Sequence, residues 1–410
     1  MIANPNSRHA SVRTIALCFV VALLEGLDLQ VTGLAAPGIG AEFKLSPAQM
    51  GWMFSAGLLG LLPGGFVGGR LADKIGRKMI LVISVILFGV FSLASVYAWD
   101  YSSFLVARLM TGLGLGAALP VLILLSSEAF EEKHRSTAVS MTYCGVPLGG
   151  AFASLFGMLN LGYGWRSLFY IGGLLPIAVA VLLILWLPES RAFQKDALHR
   201  RQVGSIGQTA FSDLFRSEMW RSTVMLWLGF FFTITTLYLL LNWLPSLLMR
   251  QGVDRSHASI VQIFFNLGGA AGALLTGRLL DRIRPGIVVV LTYAGMLLSL
   301  AALGLSDSFT VMTVAGGLAG YCALGAQLVQ YSLAPKLYST YIRATGVGTA
   351  LTIGRMGAVG GPLIAGAILA AGAGVGGVML AASPGLVIAA ATALILYEKK
   401  TAESEGAIPR

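Results

Sequence analysis

The sequence predicts an all-α membrane protein: twelve transmembrane helices in two six-helix, pseudo-symmetric halves. Three observations predict it. Hydrophobic residues make up 56% of the 410-residue chain and charged residues 11%, which is too apolar for a water-soluble globule of this size. Twelve apolar runs can be marked, each about 20 residues long, enough to cross about 30 Å of hydrocarbon as helix. A pattern also recurs at a constant offset. Gly69-Arg70-Leu71-Ala72-Asp73 is matched by Gly277-Arg278-Leu279-Leu280-Asp281, and Arg135-Ser136-Thr137 by Arg343-Ala344-Thr345. Lipid offers no hydrogen bonds to the backbone, so long apolar runs without strand alternation read as helices rather than barrel strands.

The runs begin near Thr14, Gln49, Met79, Phe104, Thr137 and Ser167 in the first half, and near Thr223, Ala258, Ile287, Thr310, Ala344 and Gly374 in the second. The first span holds Glu25 and Asp28 inside the apolar stretch from Ile15 to Ile39; it lacks a small-residue cleavage site and is expected to stay as helix one. Spans two and three are joined by the Gly69 to Arg77 loop. Span four carries Arg108 and, one turn on, Gly112, Gly114 and Gly116, whose spacing suits close helix packing rather than a dinucleotide loop. The longest polar stretch, Pro188 to Arg221, follows span six and separates the halves. The expected organisation is therefore a bundle over 1–187, a cytoplasmic linker over 188–221, a second bundle over 222–397 and a cytoplasmic tail over 398–410. In the second half, span seven carries Asn242 and Trp243, span ten carries Tyr321, Gln327, Gln330 and Tyr331, and span eleven carries Arg355.

Charge fixes the orientation. Of the 28 Lys and Arg residues, Lys44, Arg166, Arg250 and Arg255 fall in external loops and Arg108 and Arg355 within spans; all the others fall in internal loops or tails if the N-terminus is inside. That bias places both termini in the cytoplasm. It also accounts for the net charge of +10 and the pI near 9.7, so the basic balance reports topology and anionic lipid and requires no nucleic acid. Cys18, Cys144 and Cys322 lie singly in spans and read as packing residues, with no metal or redox spacing. No Gly-Lys dipeptide occurs, so the phosphate-cradling loop of ATP hydrolysis is absent.

A carboxylate at the bilayer centre costs about 2.5 to 3.5 kcal/mol on insertion scales, so one persists where it faces a cavity, pairs or takes up a proton. Counting 1.5 Å per residue from Arg13 and Arg343 puts Glu25 and Arg355 each about 18 Å deep, while Arg108, which follows Asp100, lies about 12 Å from the outer edge. Two acids and two arginines thus share one level, where transporters built from repeats bind substrate. Glu25 and Asp28 are three apart on one helix face, and like charge and desolvation both favour reversible protonation. The competing reading is a structural ion pair of Asp28 with Arg108. His9, His134, His199 and His257 fall in loops or tails and read as solvated surface.

Arg355 has no charged counterpart in the first half, where its equivalent is Pro147. Its planar fork suits a substrate carboxylate; pairing with Glu25 or with span carbonyls is the alternative. Asn242, Trp243, Tyr321, Gln327, Gln330 and Tyr331 are candidates for ring stacking and hydrogen bonding, against a plain packing role. In the loop between spans two and three, Gly69 and Gly76 are expected to allow close approach, and Asp73 to cap a neighbouring helix and bridge to Arg77, making a gate. Asp281 is the repeat copy of Asp73, and Arg135 and Arg343 are candidates for the same work at later loops, or plain topogenic charges.

These motifs carry a resemblance. Gly69-x-Leu71-Ala72-Asp73-x-x-Gly76-Arg77-Lys78 resembles the signature of the major facilitator superfamily, with a weaker copy from Gly277 to Arg284. Arg108-x-x-x-Gly112-x-Gly114-x-Gly116 resembles a second motif of that superfamily, and the likeness covers all twelve spans. Glu25-Gly26-Leu27-Asp28 is similar to the D-G-F-D motif of its aromatic acid/proton symporter family, with Glu in place of the first Asp and Leu in place of Phe. The resemblance implies the major facilitator fold and alternating access. It further implies import of an aromatic carboxylate, such as 3-(3-hydroxyphenyl)propionate or a hydroxybenzoate, with protons across a bacterial inner membrane, by a monomer needing no cofactor. Two alternatives stand beside it. Superfamily antiporters often carry a Gly-Pro pair in span five, whereas Val146 precedes Pro147 here, which argues against an exporter. A non-transporting sensor calls for a signalling domain, and an enzyme for a nucleophile or metal set in the spans; the sequence has neither.

Overall fold

The computed structural model describes residues 5–129, 135–158, 164–189, 214, 219–339 and 342–406, with the backbone alone at 5–10, 73, 135–137, 344 and 401–406. The chain divides into two compact units, Met1–Ile206 and Gly207–Arg410. Most of the expected linker, 190–213 and 215–218, lies outside the described residues. The first unit holds helices α1 (Pro5–Glu42), α2 (Pro47–Ile75), α3 (Arg77–Val96), α4 (Tyr101–Glu128), α5 (Arg135–Tyr143), α6 (Gly145–Met158) and α7 (Arg166–Trp186). The second holds α8 (Met219–Arg250), α9 (Arg255–Arg282), α10 (Pro285–Leu305), α11 (Phe309–Leu337), α12 (Arg343–Ala370) and α13 (Gly374–Gly406). Twelve helical spans are long and apolar enough to cross a membrane, and no strand occurs among the described residues.

Helix ends are set by local chemistry. Ser46 caps α2 in a reciprocal box with Gln49, and Pro47 occupies the first helical position, where its missing N–H costs nothing. Asp100 does the same for α4: its Oδ1 accepts from the Ser103 backbone N–H at 2.7 Å, which holds this carboxyl below the usual carboxylate range. Asp254 accepts from the backbone N–H groups of Ser256 and His257 at the start of α9.

The fifth span differs from a single continuous helix. It is broken at Cys144 into α5 and α6, because Pro147 has no N–H for the Tyr143 carbonyl and its ring crowds that turn. Two helices also outrun the apolar stretches. α1 starts at Pro5, ahead of Thr14, and α13 continues to Gly406, past the expected boundary at 397. Beyond that boundary Glu398, Lys399 and Lys400 are good helix formers that need no apolar surroundings, and Lys399 Nζ donates to Ser222 Oγ of α8 at 3.3 Å.

The internal repeat is visible in the packing of each unit. In the first, α2 lies on α4, α3 on α4 and α7, and α1 on α6; in the second, α9 lies on α11, α10 on α11 and α13, and α8 on α12. The tightest crossings use matching glycines. A Cβ at Gly112 would run into the carbonyl of Gly57, and one at Gly320, its repeat equivalent, into the carbonyl of Phe265. Gly114 and Gly116 likewise lie against Ser84 and Phe88 of α3 and Leu61 of α2, which is the close packing their spacing predicts.

Candidate functional site

In the first unit, α1 presents Glu25 and Asp28 to its own bundle, with 1% and 0% of their surfaces exposed. Gly26, between them, packs on the backbone of Val146, and Gly149 on that of Leu23, so the first and fifth spans touch without intervening side chains at this level. Asp28 is gripped by Arg108: Nη2 lies 2.7 Å from Oδ2, Nη1 donates to Oδ1 at 3.2 Å, and Nη2 also reaches the Asp28 carbonyl at 3.4 Å. Ser92 of α3 donates to Oδ1 at 3.0 Å, and the Phe169 ring of α7 lies 5.5 Å from the guanidinium carbon. Arg108 is itself buried. Both charges are therefore enclosed, paired and hydrogen-bonded, which is the condition for a buried ion pair to persist.

Glu25 faces something different. It lines a cavity of about 10 Å³ between α1, α4, α5 and α6, with Ala22, Leu119, Leu122, Ile123, Val139 and Thr142 among the walls. Thr142 Oγ1 and Ser126 Oγ lie 2.8 Å apart at its edge, both buried, and Ser126 in turn hydrogen-bonds Cys18.

In the second unit, the candidates on α11 form two connected sets. Gln327 Nε2 donates to the Tyr331 hydroxyl at 3.0 Å; the Tyr331 ring stacks on Phe230 at 5.6 Å, and Arg355 lies close enough to act electrostatically on that hydroxyl. Gln330 Nε2 donates to the Tyr293 hydroxyl at 2.9 Å, which lies 2.7 Å from Thr233 Oγ1. Trp243 and Asn242 sit apart from these sets. The Trp243 indole N–H donates to the Pro362 carbonyl at 3.0 Å with the ring fully buried, and Asn242 Nδ2 donates to the Tyr238 carbonyl of its own helix at 2.8 Å. Tyr321 is partly exposed, with Gly272 packed on its backbone.

The repeat relates the two regions. At the offset that carries Gly69 to Gly277, Leu119, Leu122 and Ile123 become Gln327, Gln330 and Tyr331, Ala22 becomes Phe230, and Glu25 becomes Thr233. One place in the duplicated fold is thus an acid beside a small cavity in the first unit and a linked set of polar and aromatic side chains in the second.

The gate candidates are partly described. Gly76 has φ of 108°, a conformation that requires glycine, whereas at Gly69 a Cβ would meet no atom within 4 Å. The close approach expected at Gly69 is therefore not made inside its unit. Arg77 Nη2 lies 3.3 Å from Glu128 Oε1, and the N-terminus of α3 is capped by Glu189, whose Oε1 accepts from the backbone N–H groups of Arg77 and Lys78 at 3.0 and 3.2 Å. The cap expected of Asp73 rests on a side chain outside the described residues. Asp281 is exposed at the end of α9, and Arg343 Nε donates to the Tyr338 carbonyl at 3.4 Å. The sequence reading missed Ser92, Phe169, Thr142, Tyr293 and Thr233, since single small or aromatic residues in apolar runs carry no spacing that marks them out, and Glu189, one of several charges in the polar stretch after the sixth span.

The family model of the Major Facilitator Superfamily matches residues 18–298 and again 247–410. The chain belongs to the major facilitator superfamily. It is 50% identical over 388 residues, covering 95% of this chain and 94% of the relative, to the 3-(3-hydroxy-phenyl)propionate transporter of Escherichia coli strain K12. It is 36% identical to two proteins of Pseudomonas putida, the 4-hydroxybenzoate transporter PcaK, over 87% of this chain and 85% of the relative, and the gallate transporter, over 88% and 86%. These relatives are transporters rather than enzymes, and together with the twelve spans they make the chain a multi-pass bacterial membrane protein. Among solved structures, the partially occluded inward open xylose transporter XylE of E. coli matches with a TM-score of 0.73 at 15% identity, covering 93% of this chain and 96% of that one. A bacterial homologue of the human lysosomal transporter Spinster matches at 0.72 and 22% identity, again over 93% and 96%. These two likenesses concern the major facilitator fold alone.

Proposed function

We propose that the chain is a proton-coupled importer of an aromatic carboxylate, with a phenylpropionate bearing a ring hydroxyl as the favoured substrate. It resides in the bacterial inner membrane with both termini in the cytoplasm and acts as a monomer. The observation that carries the coupling is the place of Glu25: a carboxyl buried in the first span that lines a cavity, one turn from the Asp28–Arg108 pair. In this reading Glu25 takes up and releases the proton, and the Asp28–Arg108 pair supplies a fixed polar neighbour whose integrity the cycle needs. Arg355 holds the substrate carboxylate through its planar fork, with Tyr331, Gln327 and Gln330 offering a ring edge and hydrogen-bonding groups to the aromatic portion. The names of the three relatives support this substrate class, since each denotes an aromatic acid carrying hydroxyl groups. The Gly69 to Arg77 segment, helical through Ile75 and turned at Gly76, biases the conformational equilibrium rather than touching substrate, as do Arg135 in the first unit and Asp281 and Arg343 in the second.

The test is uptake of labelled 3-(3-hydroxyphenyl)propionate, 4-hydroxybenzoate and a non-aromatic dicarboxylate into proteoliposomes, with and without an imposed pH gradient, acid outside. Accumulation of the phenylpropionate only under the gradient is expected. Uptake indifferent to the gradient, or favouring the dicarboxylate, overturns the proposal.

A further inference from the structure

We infer that the cavity beside Glu25 is a one-water site through which that carboxyl exchanges its proton with the cytoplasm, with Thr142 as the residue that positions the water. The inference rests on the coupling role proposed for Glu25 and deepens it by naming a route. It shares the cavity with that reading and adds the Thr142 hydroxyl, the cavity's position and the fifth-span turn.

Size comes first. A cavity needs about 10–15 Å³ to admit a water molecule, and this one offers about 10 Å³. A water also needs polar partners, and the walls hold the Glu25 carboxyl and Thr142, whose hydroxyl is already oriented by Ser126 at 2.8 Å. The position in the bundle comes second. The α4 residues on the wall, Leu119, Leu122 and Ile123, belong to the half of that helix leading to Glu128, and the α5 residues Val139 and Thr142 follow closely on Arg135. With the termini cytoplasmic, the cavity lies on the cytoplasmic side of Glu25. Asp28 and Arg108 lie one turn toward the opposite face. The Ser126–Thr142 pair and Cys18 continue the small polar groups inward from the cavity.

The wall itself supplies a third observation. It includes Tyr143 and Val146, at the turn where Pro147 has no N–H to offer the Tyr143 carbonyl, while the neighbouring bonds from Cys144 N–H to the Ser140 carbonyl and from Leu148 N–H to the Cys144 carbonyl are kept. Irregular backbone at membrane depth is tolerated where it lines a cavity. Finally, the repeat-equivalent region of the second unit carries the larger side chains Phe230, Gln327, Gln330 and Tyr331, joined by ring stacking and hydrogen bonds, whereas the first unit has Ala22, Leu119, Leu122 and Ile123 there beside the cavity.

The step is simple. The O–H bond of protonated Glu25 breaks as the proton passes to the cavity water. That water gives a proton on to cytoplasmic water, and Glu25 is left as a carboxylate. Thr142 orients the water and is not itself ionised.

The experiment supplies labelled 3-(3-hydroxyphenyl)propionate outside proteoliposomes and compares two rates: net uptake into empty vesicles driven by a pH gradient, which requires Glu25 to release its proton inside, and exchange with equal unlabelled substrate inside at equal pH, which does not. Val139→Phe fills the cavity and Thr142→Val removes the hydroxyl at nearly constant volume. In both, net uptake should fall several-fold more than exchange, with a larger solvent isotope effect on net uptake, and Thr142→Ser should restore the wild-type ratio. Equal loss of both rates, or no loss of either, in Thr142→Val overturns the proposal. Glu25→Gln separates the two levels of inference: if that variant still accumulates substrate under the gradient, the coupling role fails whatever the cavity variants do.

Discussion

Arg108 meets Asp28 as a fork on a carboxylate, with Nη2–Oδ2 of 2.7 Å and Nη1–Oδ1 of 3.2 Å, at a site sealed from solvent. The pair joins the first span to the fourth, and Ser92 adds the third. Three helices of the first unit therefore meet on one carboxylate. The cost of burying each charge is offset only while all the partners stay in place.

Asp28→Asn should therefore act on the fold as well as on transport. It leaves the Arg108 charge buried without its counterion, a change that typically destabilises by about 3–5 kcal/mol. Thermal unfolding of the purified variant in detergent should show a clear drop in midpoint, and concentrative uptake should be lost. Asp28→Asn combined with Arg108→Gln should unfold at a higher temperature than Asp28→Asn alone. A single variant as stable as wild type would show that the pair contributes little.

Glu25→Gln removes a titrating group without changing volume. Substrate binding and equilibrium exchange should persist, while the dependence of uptake on the pH gradient should vanish. Uptake measured from pH 5.5 to 8 checks this, and a wild-type pH profile in the variant places the coupling elsewhere.

Arg355→Lys keeps the charge and loses the bidentate fork, so binding of an aromatic acid should weaken by about 1–3 kcal/mol, the scale of a charge-assisted hydrogen bond. Arg355→Ala should weaken it further. Calorimetry with 3-(3-hydroxyphenyl)propionate and with its uncharged amide discriminates: equal weakening of both makes Arg355 structural, and weakening of the acid alone makes the carboxylate its partner.

Glu189→Ala strips the cap from α3, whose first two backbone N–H groups it receives. Caps of this kind are worth about 1 kcal/mol. The expected outcome is a midpoint lowered by a few degrees and slowed transport with unchanged substrate affinity. A large loss of affinity would move this end of the unit into the binding site.

The spans were legible because hydrocarbon imposes length and apolarity on every one of them, and the duplication because its anchors, Gly69 with Gly277 and Arg135 with Arg343, are chemically distinctive. Glu25, Asp28, Arg108 and Arg355 stood out for the same reason, as charges where charges are expensive. The Asp28–Arg108 pair was one of two readings left open: helical spacing puts Glu25 and Asp28 on one face, and only the structure shows Asp28 on Arg108 and Glu25 at a cavity wall. The polar candidates divided similarly. Gln327, Gln330 and Tyr331 share a helix and fall into linked clusters, whereas Trp243, as conspicuous in sequence, spends its one N–H on the Pro362 carbonyl. Ser92, Tyr293 and Thr233 went unnoticed because a hydroxyl in an apolar span usually bonds back to its own helix, as Thr292 does to Val288.

The paired crossings at Gly112 and Gly320 bear on how such a duplicated chain can drift. Any substitution at either position adds atoms where a carbonyl already stands, so the change is open in one direction only and is resisted in both copies alike. Positions facing open space carry no such brake. The cavity wall has become leucine and isoleucine in one copy and glutamine and tyrosine in the other, while the glycine beneath each remains. Halves each held together from within by absent side chains can thus diverge in what they handle without renegotiating how they are built.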